Sequence, residues 1–169
     1  MKPYCICFAG AIGSSKTPIA HYLSLKLGLP IHNNDVIRTE VKEDFGELRE
    51  GEYEKRRDQR IGEFIQNQRP FILDASVDRT WTRLKTSLIE HGFDYFMISM
   101  DLSKERLAEL YEAKSYHESR KVLDQYVADH DKFLADFSGD IGLHLADEDF
   151  PERLPKSFQA VEAWLRKTA

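Results

Sequence analysis

The chain has 169 residues, of which 41% are hydrophobic and 31% are charged, and its formal net charge is −5. This length suits one domain, and the composition is ordinary for a soluble globular protein. The mild negative charge argues against a duplex-binding protein, whose surface is usually basic. The apolar runs are too short for a signal peptide or a membrane span, so we expect one cytoplasmic domain over residues 1–169.

Short apolar runs alternate with longer amphipathic stretches along the chain. The runs predicted to form buried strands are 4–9, 30–32, 71–73, 95–100 and 141–145. The predicted helices are 17–27, 52–66, one capped by Asp78, one capped by Ser103, a helix or helix pair over about 118–137, and a terminal helix around Trp164. Apolar strands separated by helices are typical of a parallel sheet covered on both faces, so we predict an α/β, doubly wound fold of about five strands.

The first predicted strand contains both cysteines of the chain, Cys5 and Cys7. Their alternate spacing places both on one face of the strand. We interpret them as small buried residues in a reducing compartment, because no partner for a metal or redox site lies near them in sequence.

A glycine- and serine-rich loop joins the first strand to the first helix. Its residues are Gly10, Ala11, Ile12, Gly13, Ser14, Ser15, Lys16 and Thr17. Apart from Ser15, this stretch follows the G-x-x-x-x-G-K-[S/T] pattern of phosphate-binding loops. Glycines let backbone N–H groups surround phosphate oxygens, Lys16 can reach the β- and γ-phosphates, and Thr17 can ligate Mg²⁺. We therefore predict that the loop binds the phosphates of ATP or GTP.

Two residues depart from the usual pattern of this loop. Ser15 replaces the glycine before the lysine, which adds a Cβ near the β-phosphate. Pro18 stands where the next residue normally donates its N–H to the α-phosphate, and proline has no N–H. Proline is well tolerated in a first helical turn, so the expected effect is one missing phosphate hydrogen bond rather than a broken helix.

Ligands of doubly wound sheets bind beyond the carboxyl ends of the strands, which directs attention to the polar residues there. Asp35 and Arg38 follow the second predicted strand, one helical turn apart. A carboxylate at this place can accept a proton from an attacking hydroxyl, and the arginine can hold an anionic group of the acceptor. The alternative is that Asp35 only caps a helix.

Several short motifs occur in the same order as in a known family. These are Gly10–Thr17, Asn34–Arg38, Phe71–Ala75, and Arg83 ahead of the strand-ending Asp101. The chain resembles the small P-loop kinases, nearest the polynucleotide 5′-kinase domains and zeta-toxin sugar-nucleotide kinases, with gluconate- and adenylate-kinase-type enzymes further off. The resemblance covers nearly the whole chain.

The resemblance implies a sheet order of 2-3-1-4-5 and transfer of the γ-phosphoryl group of ATP. It implies that Asp35 is the general base, that Arg38 grips the acceptor, and that Asp74 holds Mg²⁺ through water. It also implies an arginine-bearing lid, which falls at about residues 107–121. Arg120 is the candidate lid arginine, Lys114 stands near the place of a second one, and a solvated helix face is the alternative for both.

The acceptor and the base are less defined. The basic run 55–60 lies where the family places its acceptor-binding helices, and it is either a solvated helix face or a clamp for an anionic acceptor, including an oligonucleotide end. The segment 147–151 falls where the family wraps the base. The leading hypothesis is a Mg²⁺- and ATP-dependent kinase acting on a small hydroxyl-bearing or phosphorylated acceptor, such as a nucleotide, a sugar or a nucleic-acid 5′ end. The alternative is a nucleotide-binding module or NTPase without kinase turnover, which Ser15 and Pro18 favour.

Overall fold

A computed structural model describes residues 2–168, and this part of the chain forms a five-stranded sheet in the order β2-β3-β1-β4-β5. The strands are β1 (Tyr4–Ala9), β2 (Ile31–Asn33), β3 (Phe71–Ser76), β4 (Asp94–Met100) and β5 (Ile141–Leu145). Every neighbouring pair is parallel. The predicted fold class is confirmed, and so is the strand order that the resemblance implied.

Helices cover both faces of the sheet. They are α1 (Lys16–Leu27), α2 (Asn34–Phe45), α3 (Glu50–Gln66), α4 (Trp81–Glu90), α5 (Lys104–Ala113), α6 (His117–Lys121), α7 (Leu123–Phe137) and α8 (Arg153–Thr168). The core on one face includes residues of α1, α5 and α8, and the core on the other includes residues of α3 and α4. Within residues 2–168, no helix is both long and apolar enough to cross a membrane.

The central strand β1 explains how the two cores share one sheet. Ile6 and Phe8 belong to the first core, whereas Cys5 and Cys7 belong to the second. Because successive side chains of a strand point to opposite faces, a strand buried on both sides must be apolar throughout. Both cysteines are buried free thiols, as the sequence predicted.

Helix α2 was considered in the sequence only through the alternative that Asp35 caps a helix. The segment of α2 is polar, and its buried residues are Ile37 and Val41, which pack with Tyr53 of α3 in a small separate cluster. The helix is capped by Asn33, whose side chain accepts hydrogen bonds from the N–H groups of the second and third helical residues at 2.8 and 3.1 Å. The interpretation of Asp35 as the cap is therefore wrong.

The expected cap of α4 is also wrong. Thr80 precedes the helix, and Asp78 lies in the loop before it. The carboxylate of Asp78 instead accepts a hydrogen bond from the backbone N–H of Gly10 at 2.9 Å. A long-range contact with the phosphate loop has replaced the local one that the sequence suggested. The stretch 118–137 forms a helix pair, α6 and α7.

Candidate phosphotransfer site

The loop between β1 and α1, which the sequence predicts to bind phosphate, turns through three residues of left-handed backbone. Gly10, Gly13 and Ser15 all have positive φ angles, of 121°, 76° and 76°. A Cβ on Gly10 would lie 2.9 Å from the Cβ of Met100, so glycine is required there. Ser15 thus adopts a left-handed conformation that favours glycine, at a cost of about 1–2 kcal/mol.

The ammonium of Lys16 lies inside this loop. Its Nζ donates hydrogen bonds to the carbonyl oxygens of Gly10 and Ala11, at 3.0 and 2.6 Å, and to Oγ of Ser14 at 3.1 Å. Burial lowers the pKa of Lys16 to about 8, although the nearby carboxylates oppose this shift. A desolvated cation at the N-terminus of a helix is well suited to bind an anion.

Thr17 and the predicted magnesium residue Asp74 are in contact. The Thr17 hydroxyl donates to Oδ1 of Asp74 at 3.1 Å, and the Asn33 amide donates to Oδ2 at 2.6 Å. Burial raises the pKa of Asp74, while these hydrogen bonds oppose the rise. The ends of β2 and β3 and the start of α1 therefore meet at one carboxylate.

This pair of oxygen donors fits Mg²⁺. Magnesium is commonly bound by one or two protein oxygen ligands together with waters and substrate phosphates. No group of three or more His, Cys, Asp or Glu residues suitable for a metal occurs among residues 2–168. Thr17 and Asp74 offer two oxygen donors, a number that suits Mg²⁺ when phosphates and waters supply its other ligands.

Asp35 and Arg38 lie together on the first turns of α2. Nη1 of Arg38 is 3.2 Å from Oδ1 of Asp35, whose side chain is 87% exposed. The negative charge of Asp35 is among the causes that raise the pKa of Lys16, so the two groups are within electrostatic reach of each other. The guanidinium of Arg38 lies over the ring of Tyr53, 4.6 Å from its centroid.

A cavity of about 290 Å³ lies between α3 and α4, against the carboxyl-terminal half of β3. Arg57, Asp58, Ser76, Thr80 and Arg83 are among its lining residues. The carboxylate of Asp58 accepts from Arg57 at 2.8 Å and from Arg83 at 3.1 Å. Two arginines thus share one carboxylate at this cavity, which leaves a net positive charge.

The basic run 55–60 is divided between a solvated helix face and the wall of the cavity. Arg56 pairs with Glu52 at i,i+4 spacing and with Asp44 of α2, as a solvated face would. Arg57, the next residue, lines the cavity.

The predicted lid segment, residues 107–121, packs on the phosphate loop. The Tyr111 hydroxyl donates to the carbonyl oxygen of Ile12 at 2.5 Å, and Nζ of Lys114 donates to that of Gly13 at 2.7 Å. Arg120 instead forms an ion pair with Glu112 on the exposed side of α5. The structure therefore brings Lys114, and not Arg120, into contact with the loop.

A buried chain of polar side chains beneath the loop was missed from the sequence. Nδ1 of His130, on α7, lies 3.1 Å from Asp78, and its Nε2 lies 3.0 Å from Asp101 at the end of β4. These carboxylates overcome the effect of burial and raise the pKa of His130 to about 9. The sequence signal was a histidine on the apolar face of a helix, three residues before Phe133, and it does not identify the partners.

Arg153, at the start of α8, was also missed. Its Nε donates to Oγ of Ser15 at 3.2 Å, and its guanidinium lies over the ring of Phe150 at 4.0 Å from the centroid. The two residues of the first contact are 138 positions apart in sequence. No local pattern could indicate it.

Comparisons with known proteins agree with this architecture. No protein-family model matches the chain, and no curated protein matches it in sequence. Among solved structures, a gluconokinase from Sinorhizobium meliloti 1021 is similar, with a TM-score of 0.66, 18% identity, and 98% of this chain and 95% of that chain covered. An APS kinase from Mycobacterium tuberculosis in complex with AMPPNP and APS has a TM-score of 0.60, 15% identity and coverage of 95% and 98%.

A shikimate kinase from Bacteroides thetaiotaomicron is also similar, with a TM-score of 0.62, 13% identity, and 96% of this chain and 98% of that chain covered. Identities this low show likeness of fold alone. The agreement over nearly the full length of each chain, together with the strand order β2-β3-β1-β4-β5, shows that this protein has the P-loop kinase-like fold.

Proposed function

We propose that the protein is a Mg²⁺- and ATP-dependent kinase that phosphorylates a hydroxyl group of a small anionic acceptor. One observation carries the proposal. The Lys16–Thr17–Asp74 cluster and Asp35 lie at the same edge of the sheet, beside a cavity whose two arginines share one carboxylate. Donor and acceptor sites would then lie side by side.

In this proposal, the backbone N–H groups of residues 10–17 and the ammonium of Lys16 hold the phosphates of the nucleotide. Thr17 and Asp74 would hold Mg²⁺, directly and through water. The metal would supply positive charge that balances the charge of the phosphates. The protein contributes mainly by positioning and by preorganised positive charge.

Asp35 is the proposed general base. The acceptor hydroxyl gives its proton to Asp35 as its oxygen bonds to the γ-phosphorus. The bond from that phosphorus to the bridging oxygen breaks, and ADP leaves. Arg38, which is 3.2 Å from Asp35, can orient this carboxylate or grip an anionic group of the acceptor.

The cavity supports a small acceptor that carries a carboxylate or phosphate. Its volume of about 290 Å³ suits a molecule of monosaccharide size. Arg57 and Arg83 can offer planar, bidentate hydrogen bonds to such an anion. The lid role of the segment 107–121 and of Arg120 stays part of the proposal, since that segment already contacts the loop through Lys114.

The second candidate is a nucleotide-binding module without turnover. It is favoured by Pro18, which lacks the N–H of the usual loop, and by Arg120, which pairs with Glu112. For either function we infer a reducing, cytoplasmic setting, because Cys5 and Cys7 are free thiols.

One experiment separates the two candidates. The protein is incubated with Mg²⁺ and γ-labelled ATP and with hydroxy acids, sugar phosphates, neutral sugars, nucleosides and oligonucleotide 5′-hydroxyls, with Lys16→Ala as the control. We expect label transfer to an anionic hydroxyl compound, and none with the variant. If ATP raises the melting temperature but no acceptor is labelled, the protein is a binding module. If ATP neither binds nor reacts, both candidates are wrong.

A further inference from the structure

The phosphate loop, residues 10–17, is followed by a proline that lacks a hydrogen-bond donor and is contacted by the guanidinium of Arg153. Pro18 lacks the N–H that the usual loop directs at the α-phosphate. Three residues earlier, Oγ of Ser15 accepts a hydrogen bond from Nε of Arg153. Ser15, one of the two residues that depart from the loop pattern, is thus the residue that Arg153 contacts.

Arg153 is held in place from its other side. Its Nη1 donates to the carbonyl oxygen of Phe150 at 2.7 Å, and its guanidinium stacks on the ring of the same residue. These contacts use two of the guanidinium N–H groups and leave the others available. A stacked and partly bonded guanidinium loses little conformational freedom when it binds an anion.

The charge of Arg153 is not balanced locally. It forms no ion pair with a carboxylate anywhere in residues 2–168, whereas Arg106, Arg120 and Arg166 each do. Burial and the neighbouring charge of Arg106 lower the pKa of Arg153. Burial lowers the pKa of Lys114, which contacts Gly13 of the loop, and the charge of Arg153 lowers it further. Lys16, Lys114 and Arg153 therefore form a cluster of cations around the loop.

We infer that Arg153 is a nucleotide-binding residue that donates hydrogen bonds to the phosphates and takes over the role of the N–H group missing at Pro18. Ser15 serves this arrangement by holding the guanidinium at the rim of the loop. The inference depends on the proposed nucleotide binding and adds a specific residue to it. It explains how a loop with two departures can still bind a triphosphate.

Titration calorimetry with ATP, inorganic triphosphate and adenosine tests the inference. We expect Arg153→Gln to weaken ATP and triphosphate binding on the order of tenfold or more, as for loss of a hydrogen bond to a charged group, and to leave adenosine binding unchanged. Arg166→Gln is the matched control, because Arg166 lies on the same helix and is 74% exposed. Equal ATP affinity in Arg153→Gln and wild type, or an equal loss for adenosine and triphosphate, would overturn the inference.

A double-mutant cycle tests the compensation for Pro18. Pro18→Ala should tighten ATP binding more in the Arg153→Gln background than in the wild type, because the restored N–H then replaces an absent donor. Additive effects would contradict the compensation. If ligand-free unfolding shows that Arg153→Gln is not folded, Arg153→Met takes its place, because methionine keeps an apolar contact with Phe150 and removes every donor. Wild-type ATP affinity in that variant would overturn the inference.

The outcomes distinguish this inference from the proposed function. Binding of ATP that Lys16→Ala abolishes and Arg153→Gln leaves intact would reject the role of Arg153 alone. Absence of ATP binding in the wild type would reject both.

Discussion

Nδ1 of His130 lies 3.1 Å from Oδ2 of Asp78, and this ion pair connects helix α7 to the phosphate loop. The other oxygen of Asp78 accepts the N–H of Gly10, so the position of the loop depends on a buried charge pair. On its far side, the imidazole contacts Asp101, which also accepts from Ser99 and pairs with His144. The pair is fully formed only when His130 is protonated.

The first prediction concerns pH and stability. The pKa of His130 rises from an ordinary 6.5 to about 9 in the folded protein. Its contribution to the free energy of unfolding is therefore fully present below about pH 6.5 and is lost as the pH rises through 9. The shift corresponds to about 3 kcal/mol, at about 1.36 kcal/mol per pH unit. Urea unfolding of the wild type and of His130→Gln between pH 6 and 9.5 measures this contribution.

The expected result is a stability difference between the two proteins that shrinks as the pH rises. Lys16 has a lowered pKa of about 8, which makes the free energy of unfolding of both proteins rise with pH between about 8 and 10.5. The difference between the wild type and the variant cancels this contribution. A difference that stays constant with pH would mean that His130 is neutral when folded.

The second prediction concerns Asp35 as the base. Asp35→Asn keeps the shape of the side chain but cannot accept a proton, so phosphoryl transfer should fall by about 10²–10⁴-fold. ATP affinity should change little. Stability should fall by no more than about 1 kcal/mol, since Asn33 and not Asp35 caps the helix. Asp44→Asn, an exposed change on the same helix, is the control. A wild-type rate of phosphoryl transfer in Asp35→Asn would show that Asp35 is not the base.

The third prediction compares two glycines with similar backbones. Gly13 and Gly28 have φ angles of 76° and 67°, but a Cβ on Gly13 would lie 2.8 Å from Cε1 of Tyr111, whereas one on Gly28 meets nothing within 4 Å. Tyr111 is buried and its hydroxyl donates a hydrogen bond to the carbonyl oxygen of Ile12, so the ring cannot easily move. Both alanine variants carry the left-handed backbone cost, and Gly13→Ala should lose about 1–3 kcal/mol more from the clash. Equal losses in chemical unfolding would show that the lid segment does not press on the loop.

The fourth prediction concerns the metal. ATP should bind the wild type more tightly with Mg²⁺ than with EDTA, and Asp74→Asn should remove most of that gain. The asparagine retains one acceptor and loses the other, so ligand-free stability should fall by about 1–3 kcal/mol as well. The ratio of the two dissociation constants separates the effects, because lost stability alone leaves the ratio unchanged. An unaltered ratio in Asp74→Asn would place the metal elsewhere.

The sequence alone determined the class of fold, and it predicted residues 10–17 as the phosphate loop. Both follow from local patterns. A strand such as β1 that is buried on both faces must be apolar throughout, and a loop that curls around phosphate needs glycine-like backbones beside Lys16. The polar residues beyond the strand ends could also be predicted, because parallel strands all end at the same edge of the sheet.

The tertiary structure alone decided which of those residues touch. Helix α2 was not predicted from hydrophobic periodicity, because only Ile37 and Val41 on it are buried and two residues are too few to show a period. Asp78 had the local features of a cap, yet in the folded chain its carboxylate accepts a hydrogen bond from the N–H of Gly10. His130 is connected to the loop through Asp78, and Arg153 contacts Ser15 directly, each from a helix far along the chain. A hydrogen bond depends on distance in space. For these partners, which are 52 to 138 residues apart, that distance is set by the packing of helices on the sheet and by no local pattern.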